Sequence, residues 1–368
     1  MSQMTHEHWM RRALSLAILG RGRTSPNPLV GAVIVQDGHV IGEGYHQAYG
    51  GPHAEQEALA TCTEHPQGAT MYVTLEPCCH HGKTPPCTEA ILAAGITQVI
   101  IGSSDPNPRV AGGGVAALQA AGVTVVTGVL QAECDRINRV FFHYIQSPTP
   151  YVVLKYAMTA DGKIATRTGA SRWITGPAAR EHVHETRHAL SAILVGVGTV
   201  LADDPLLTCR LPRGRDPVRV VCDSRLSTPL DSRIVTTAKD VPTILATGGQ
   251  SDADTAPYRA AGCKILHLPG PDGRVDLTAL LHALHRQGID SILVEGGAAI
   301  HYSMLEAGLA KRLQVYLAPK LFGGIAAKGP VGGEGVALPS EGFRLGPPEL
   351  TTLGEDLLLE YDILGGDP

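Results

Sequence analysis

His53-Ala54-Glu55, followed by Glu76-Pro77-Cys78-Cys79-His80-His81-Gly82-Lys83-Thr84-Pro85-Pro86-Cys87, is the stretch on which the reading of the first half turns. It supplies one imidazole (His53), two thiols (Cys78 and Cys87) and a carboxylate (Glu55) two residues past the imidazole. Three N/S ligands leave the fourth position of a tetrahedral Zn²⁺ open to water, and that open position separates a catalytic zinc from a structural one. Water held there has a pKa of roughly 7. Glu55 is placed to take its proton and hand it to a leaving amine. Two other readings use the same residues. A fourth ligand from His80 or His81 would close the site into a structural one, and a thiol-rich turn could carry no metal at all. Cys79 competes with Cys78, although neighbouring side chains in an extended turn point apart.

Outward from this stretch the chain alternates between two periods. Trp9, Met10, Ala13, Leu14, Ala17 and Ile18 recur at helical spacing over 6–19, ended by Gly20 and Gly22. Val30 to Val35 reads as a buried strand, Asp37-Gly38 as a hairpin turn and Val40 to Tyr45 as the returning strand. His53 opens a helix, 70–75 is a strand leading into Glu76-Pro77-Cys78, and a helix over 87–94 starts at Cys87. The positive end of a helix macrodipole favours thiolate at such starts. Strands follow at 99–102 and 123–127, with helices expected at 115–121 and, as one piece, at 133–144. A hairpin followed by alternating helices and strands makes a three-layer α/β domain with a mixed sheet.

His-x-Glu with a later Pro-Cys and a second Cys resembles the zinc deaminases that act on nucleobases and related rings. In the better-known members two residues separate the cysteines; here eight do. That long form, with His80 to Pro86 inside it, resembles the deaminase half of the bifunctional riboflavin biosynthesis deaminase–reductases. The resemblance implies a cytidine-deaminase-like fold, one Zn²⁺ on His53, Cys78 and Cys87, and Glu55 as the proton carrier. It also implies that Asn27, His46, His80 and Lys83 hold a pyrimidine and its ribose phosphate. Asn27 can donate and accept along a ring edge, and Lys83 can meet a phosphate as a point charge. Each has a plainer reading: Asn27 between two prolines is an ordinary turn residue, His46 a surface histidine, Lys83 a solvated loop charge. Cys79 departs from the small hydroxyl residue associated with its position in that family.

Ser147-Pro148-Thr149-Pro150 breaks the pattern and precedes the strongly β run Tyr151 to Ala157, which sets domains of 1–147 and 148–368. The second domain alternates again. Strands are expected at 151–158, 192–197, 218–222, 243–246, 264–267, 291–294 and 313–317, with 357–364 as an antiparallel edge. Helices are expected at 177–189, 277–287 and 298–307, and Thr199 to Pro205 is read as a loop. The stretch 236–257 shows no motif beyond its strand. Glu295-Gly296-Gly297 falls between a strand and a helix, where bare amides and glycines admit a phosphate; a plain strand-to-helix turn has the same letters. Gly196-Val197-Gly198 lacks the third glycine of a dinucleotide fingerprint.

This half resembles the reductase of the same family, through Lys155 with Met158-Thr159-Ala160-Asp161-Gly162, Ser171-Arg172-Trp173-Ile174-Thr175, 199–205, Asp223-Ser224 and 295–297. The resemblance implies a dihydrofolate-reductase-like α/β fold and NADPH. Ala157, Trp173, Thr199, Asp203, Ser224 and the run Gly297, Ala298, Ala299, Ile300, His301, Tyr302, Ser303 would line the cofactor. Ser171, Arg187, Leu207, Arg210 and Glu295, with Lys155 nearby, would line the sugar phosphate. Arg187 and Arg210 offer forked donors suited to phosphate. The plainer readings are Trp173 as core, Arg187 as a solvated helix charge and Asp203-Asp204-Pro205 as a turn.

Composition bounds the rest. A chain of 368 residues has room for two domains or three. Hydrophobic residues make up 43% and aromatics only 4%, so aliphatic side chains must fill the cores. A net charge of −5 argues against a nucleic-acid surface. Eight scattered cysteines fit a reducing cytoplasm rather than a disulfide scaffold. The N-terminus does not read as a signal peptide, and no apolar run is long enough to span a bilayer. The expectation is a cytoplasmic two-step enzyme on a small phosphorylated pyrimidine, acting as a homo-oligomer (dimer or higher), with no nucleic-acid or membrane partner. A zinc deaminase acting on a base within nucleic acid, and a structural-zinc fold joined to a nucleotide-sensing domain, are the competing readings.

Overall fold

The structure, a computed structural model, describes residues 5–81, 85–108 and 110–365. The chain divides into two compact units, Met1–Pro148 and Thr149–Pro368.

In the first unit α1 (His6–Ala17) is followed by the hairpin β1 (Gly31–Gln36) and β2 (His39–Tyr45). Asp37 and Gly38, both at positive φ (49° and 78°), close it as a type I′ turn requires. Then come α2 (Ala54–Ala60), β3 (Thr70–Leu75), α3 (Cys87–Ala93), β4 (Gln98–Ser103), α4 (Gly113–Ala120), β5 (Thr124–Val126), α5 (Gln131–Ile137) and α6 (Arg139–Gln146). The sheet order is β2-β1-β3-β4-β5, antiparallel on either side of β1 and parallel beyond β3. Alternation along β1 splits the core. Ala32 and Ile34 pack with Ala54 and Ala58 of α2, while Val33 and Val35 pack with Trp9, Met10 and Ala13 of α1. Gly44 lets α2 lie directly on β2, because a Cβ there would fall 2.3 Å from the Ala58 amide nitrogen. The expected single helix over 133–144 is two. Asn138 adopts φ −106°, ψ 12°, and its amide pairs with both the N–H and the C=O of Leu29, at 2.8 and 2.9 Å. That long-range pairing overrides the continuous helical pattern.

The second unit runs β6 (Tyr151–Thr159), α7 (Pro177–Ala189), β7 (Ala192–Gly196), α8 (Val197–Asp203), β8 (Val218–Cys222), α9 (Arg233–Thr236), β9 (Thr243–Thr247), α10 (Asp252–Ala260), β10 (Lys264–His267), α11 (Leu277–His285), β11 (Ser291–Gly296), α12 (Ala298–Glu306), β12 (Arg312–Ala318), β13 (Glu349–Leu353) and β14 (Asp356–Asp362). Among the described residues its strands are ordered β10-β9-β8-β7-β11-β6-β12-β14-β13. All neighbours are parallel except those made by β14. The chain works outward from β7 to β10, then returns to insert β11 between β7 and β6. Order reversal of this kind opens a crevice at the carboxyl ends of the strands, and the end of β11 lies at its centre.

Three expectations are corrected here. The segment read as a loop over 199–205 is mostly helix, because burial of Val200 in the core beneath β7 and β8 outweighs the weak helical preference of its Thr, Val and Asp. The strand at the C-terminus is interior, since β13, which the sequence reading lacked, pairs outside it. The stretch 236–257 contains the start of α10, capped by Ser251, whose hydroxyl accepts from the Asp254 amide.

Candidate active sites

In the first unit the strand-to-helix connections converge on one cavity of about 290 Å³. His53 is the N-cap of α2, and Cys87 is the first residue of α3. Cys78 follows β3. The imidazole Nδ1 of His53 lies 3.5 Å from Cys78 Sγ and 3.3 Å from Cys87 Sγ. The Cys87 amide also donates to Cys78 Sγ at 3.3 Å. The three ligand atoms lie within 4.8 Å of one another, so a donor set of one nitrogen and two sulphurs is gathered around a single point. Among the described residues they form the one such group. The Cys79 sulphur turns instead toward Gly113, where a Cβ would come within 2.8 Å of it. His81 is exposed, with Nε2 4.0 Å from Glu89. Neither supplies a fourth ligand, and His80, although it lines the cavity, does not join the cluster of ligand atoms, so the residues fit a zinc with one open position.

Electrostatics agree with this arrangement. The hydrogen bond from Cys87, with His53 adding to it, holds the Cys78 thiol down at about 4, while that same bond and burial push Cys87 up. Glu55 is 3% exposed, and burial raises its carboxyl to about 7 against the opposing pull of His53. A carboxyl poised there can both take and return a proton near neutral pH.

The cavity is also lined by Asn27, His46 and His80. His46 Nδ1 donates to the Pro52 carbonyl at 2.8 Å, which leaves Nε2 to accept from the Asn27 amide at 3.1 Å. Burial lowers the His46 pKa, so the ring is a neutral, fixed acceptor and Asn27 is held by it. Lys83 lies outside the described residues. The sequence reading missed Glu76 and Asp105 as parts of this wall. Glu76 accepts from the amides of Gly112 and Val115, both at 3.1 Å, and so ties the start of α4 to the turn after β3 that carries Cys78. Asp105 lines the cavity, its carboxyl raised to about 6 by burial. Asp105-Pro106-Asn107-Pro108 repeats the wording of Pro26-Asn27-Pro28, and that was the available signal.

In the second unit β11 carries Glu295 into the crevice. Its two oxygens accept from Arg187 Nε and Nη2 of α7 at 2.6 and 2.7 Å. Arg187 Nη1 donates to the Thr208 carbonyl at 2.8 Å. The guanidinium expected to meet a phosphate is therefore committed to Glu295 and a backbone oxygen, because a buried arginine needs a buried partner. Arg210 is exposed and Ser171 half-buried. Leu207, at φ 54°, buries its side chain in the core, so what it presents to a ligand is backbone. Lys155, from β6, lies beside this pair.

Gly297 takes φ 95°, and no side chain caps α12. A Cβ on Gly296 would fall 2.8 Å from Thr199 Oγ1. Only glycines keep this cradle open, and its free amides fit an anionic dinucleotide. Ala298, Ala299, Ile300, Tyr302 and Ser303 follow on the same helix. His301 is buried and faces the carbonyls of Pro330 (2.9 Å) and Val294 (3.3 Å), so its ring is a packing element. Trp173 is 59% exposed with the Arg180 guanidinium 4.4 Å from its ring centroid; it is a surface platform and not core. Asp203 ends α8, its carbonyl accepting from Arg172 at 2.9 Å. Ser224 Oγ accepts from the Val275 amide at 3.0 Å, and Ala157 is half-buried in β6.

Comparison with known proteins matches both units. The cytidine and deoxycytidylate deaminase zinc-binding region matches residues 3–103, and the RibD C-terminal domain matches residues 150–359. The riboflavin biosynthesis protein RibD of Actinobacillus pleuropneumoniae is 52% identical over 361 residues, covering 98% of this chain and 96% of that protein. The Escherichia coli protein of the same name is 44% identical, covering 87% of this chain and 89% of its own. Among solved structures, Acinetobacter baumannii RibD is 35% identical with a TM-score of 0.86, covering 98% of this chain and 99% of its own. A diaminohydroxyphosphoribosylaminopyrimidine deaminase/5-amino-6-(5-phosphoribosylamino)uracil reductase from Thermotoga maritima is 38% identical with a TM-score of 0.83, covering 98% and 99%.

Proposed function

The chain belongs to the riboflavin biosynthesis RibD family, and from that membership we propose which of its residues carry each of two reactions. The protein is an enzyme of riboflavin synthesis with a deaminase and a reductase activity. Residues 1–147 would hold the first and residues 148–368 the second. The substrate is 2,5-diamino-6-ribosylamino-4(3H)-pyrimidinone 5′-phosphate, deaminated first and then reduced to the ribityl compound.

In the first reaction His53, Cys78 and Cys87 would hold a zinc, which would supply Lewis-acid activation of the attacking water. Glu55 takes the proton of that water and returns it to the departing amine, which leaves as ammonia. Asn27, fixed by neutral His46, offers its amide to the ring edge, with His80 on the same wall and Lys83 meeting the phosphate. In the second reaction the sugar opens by breaking its C1′–O4′ bond, with a proton lost from the glycosidic nitrogen and one gained at O4′. The resulting imine is reduced at C1′ and its nitrogen takes a proton; bound NADPH would supply the hydride. Lys155 and Glu295 hydrogen-bond the sugar, and Lys155 moves its protons; Arg187 keeps Glu295 ionised. Arg210, Ser171 and the backbone at Leu207 complete the sugar-phosphate side. The cradle at Gly297, with Thr199, Asp203, Ser224, Trp173 and Ala157, takes the cofactor.

The single observation that carries the first assignment is the gathering of three ligand atoms beside one buried carboxyl of near-neutral pKa. The absence of a basic excess (net charge −5) supports a free nucleotide over nucleic acid. Eight unpaired cysteines support a reducing compartment, the cytoplasm, and no helix among the described residues is long and apolar enough to cross a membrane. From the family we also propose a homo-oligomer, dimer or higher. Cys87→Ser tests the metal assignment. Zinc should fall below one per chain and ammonia release should vanish, while NADPH oxidation on the deaminated nucleotide persists. Full zinc with full ammonia release would overturn it.

A further inference from the structure

Lys155 stands on β6 between two strands that each present one held side chain. On one side β11 pairs Val294 with Leu154, which brings Glu295 alongside. On the other side β12 pairs Gln314 with Lys155 and Tyr316 with Ala157. Residues two apart share a face of the sheet, so Tyr316 is the diagonal neighbour of Lys155, within reach of a long side chain. The contact is made: Lys155 Nζ lies 5.3 Å from the Tyr316 ring centroid. Tyr316 is itself fully buried, and its hydroxyl meets His182 Nδ1 at 2.8 Å. His182 is on α7, five residues before the Arg187 that grips Glu295. One helix thus reaches down to both strands flanking Lys155, fixing Glu295 with Arg187 and Tyr316 with His182.

We propose that Tyr316, anchored through its hydroxyl by His182, is the positioning residue that holds the Lys155 ammonium in place for the reductase reaction. The proposal rests on the assignment of Lys155 to the sugar site made above. A buried ammonium loses its hydration and is held by what faces it. Glu295 from β11 attracts it, Arg187 from α7 repels it, and the uncharged His301 ring lies on α12. The Tyr316 face supplies an attraction that points, where Glu295 supplies one that pulls. Without His182 the hydroxyl keeps only its contact with Thr186 of the same helix, the ring shifts within its packing, and the ammonium follows Glu295 instead of the substrate. Burial pushes Lys155 below its ordinary pKa, so the ring also helps it remain charged.

The test uses the full-length, zinc-loaded protein supplied with the deaminated ribosylamino nucleotide, and reads NADPH oxidation. Tyr316→Phe and His182→Gln should each lower kcat about 10-fold, the scale of a desolvated cation–π contact. NADPH affinity, read by its fluorescence on binding, should not change. Because both substitutions break one link, the double variant should be no slower than either single one. Tyr316→Leu, which removes the ring, should also move the basic limb of the kcat profile to lower pH, since the charged form of Lys155 has lost a partner. Wild-type kcat with only a lowered melting temperature would overturn the proposal, as would multiplicative losses in the double variant. Lys155→Met separates the two levels. If it is inactive while the Tyr316 and His182 variants are normal, the positioning role alone fails; if it retains wild-type turnover, the assignment of Lys155 fails with it.

Discussion

Glu55 and Glu295 are both buried carboxylates, and their surroundings drive them in opposite directions. Burial raises Glu55 to about 7 against the pull of His53 and of hydrogen bonds from its own backbone and from Cys87. Burial acts on Glu295 too, but the charge and hydrogen bonds of Arg187, aided by Lys155, outweigh it and hold the group at about 2. The first can exchange a proton at neutral pH; the second stays ionised. Glu55→Gln should therefore cut ammonia release by about 10²–10⁴-fold, with zinc content and reductase turnover retained; loss of the zinc would assign Glu55 a ligand role instead. For Glu295 the folded pKa lies below the unfolded value of roughly 4.3. Its stabilising contribution is present above that pH and is lost as pH falls toward 2. Melting temperatures of wild type and Glu295→Gln should differ most at neutral pH, by the equivalent of about 3–5 kcal/mol for a buried arginine left unpaired, and converge on acidification. Parallel curves would contradict the ion-pair account. The gathering of His53, Cys78 and Cys87 was legible because a metal site demands specific atoms at specific spacing. The Arg187–Glu295 pair was not, because the two are 108 positions apart and nothing local marks them as partners.

At the level of elements, legibility followed local pattern. Strand 70–75 and helix 177–189 were read with their observed bounds, and α1 and α3 nearly so, because periodicity, glycines and prolines mark their ends. Elements fixed by distant contacts were misread. The break at Asn138 answers to Leu29, α8 to the core beneath it, and β13, largely exposed, only to pairing with β14. The seating of α2 on β2 depends on Gly44 in the same nonlocal way. Gly44→Val should force α2, and with it His53 and Glu55, off the sheet. We expect a loss of about 1–3 kcal/mol, the usual scale of overpacking, read as a lower melting temperature of the first unit, with ammonia release reduced and NADPH oxidation unchanged. Unaltered ammonia release would show that α2 tolerates the displacement.

At the scale of the molecule, two α/β units of different topology each build their site where helix N-termini and strand ends meet. Both fold classes were readable from alternating periods plus resemblance; the internal strand order, with β11 returning to the middle of the sheet, was not. The chemistry orders the two reactions on one ribose phosphate. The most direct measurement is a coupled assay on the zinc-loaded protein with the diamino-ribosylamino pyrimidinone phosphate, following ammonia first without and then with NADPH. The account predicts ammonia release in the absence of NADPH, then consumption of one NADPH per ammonia once it is added. No ammonia from protein shown to hold zinc, or NADPH oxidation that precedes ammonia release, would contradict it.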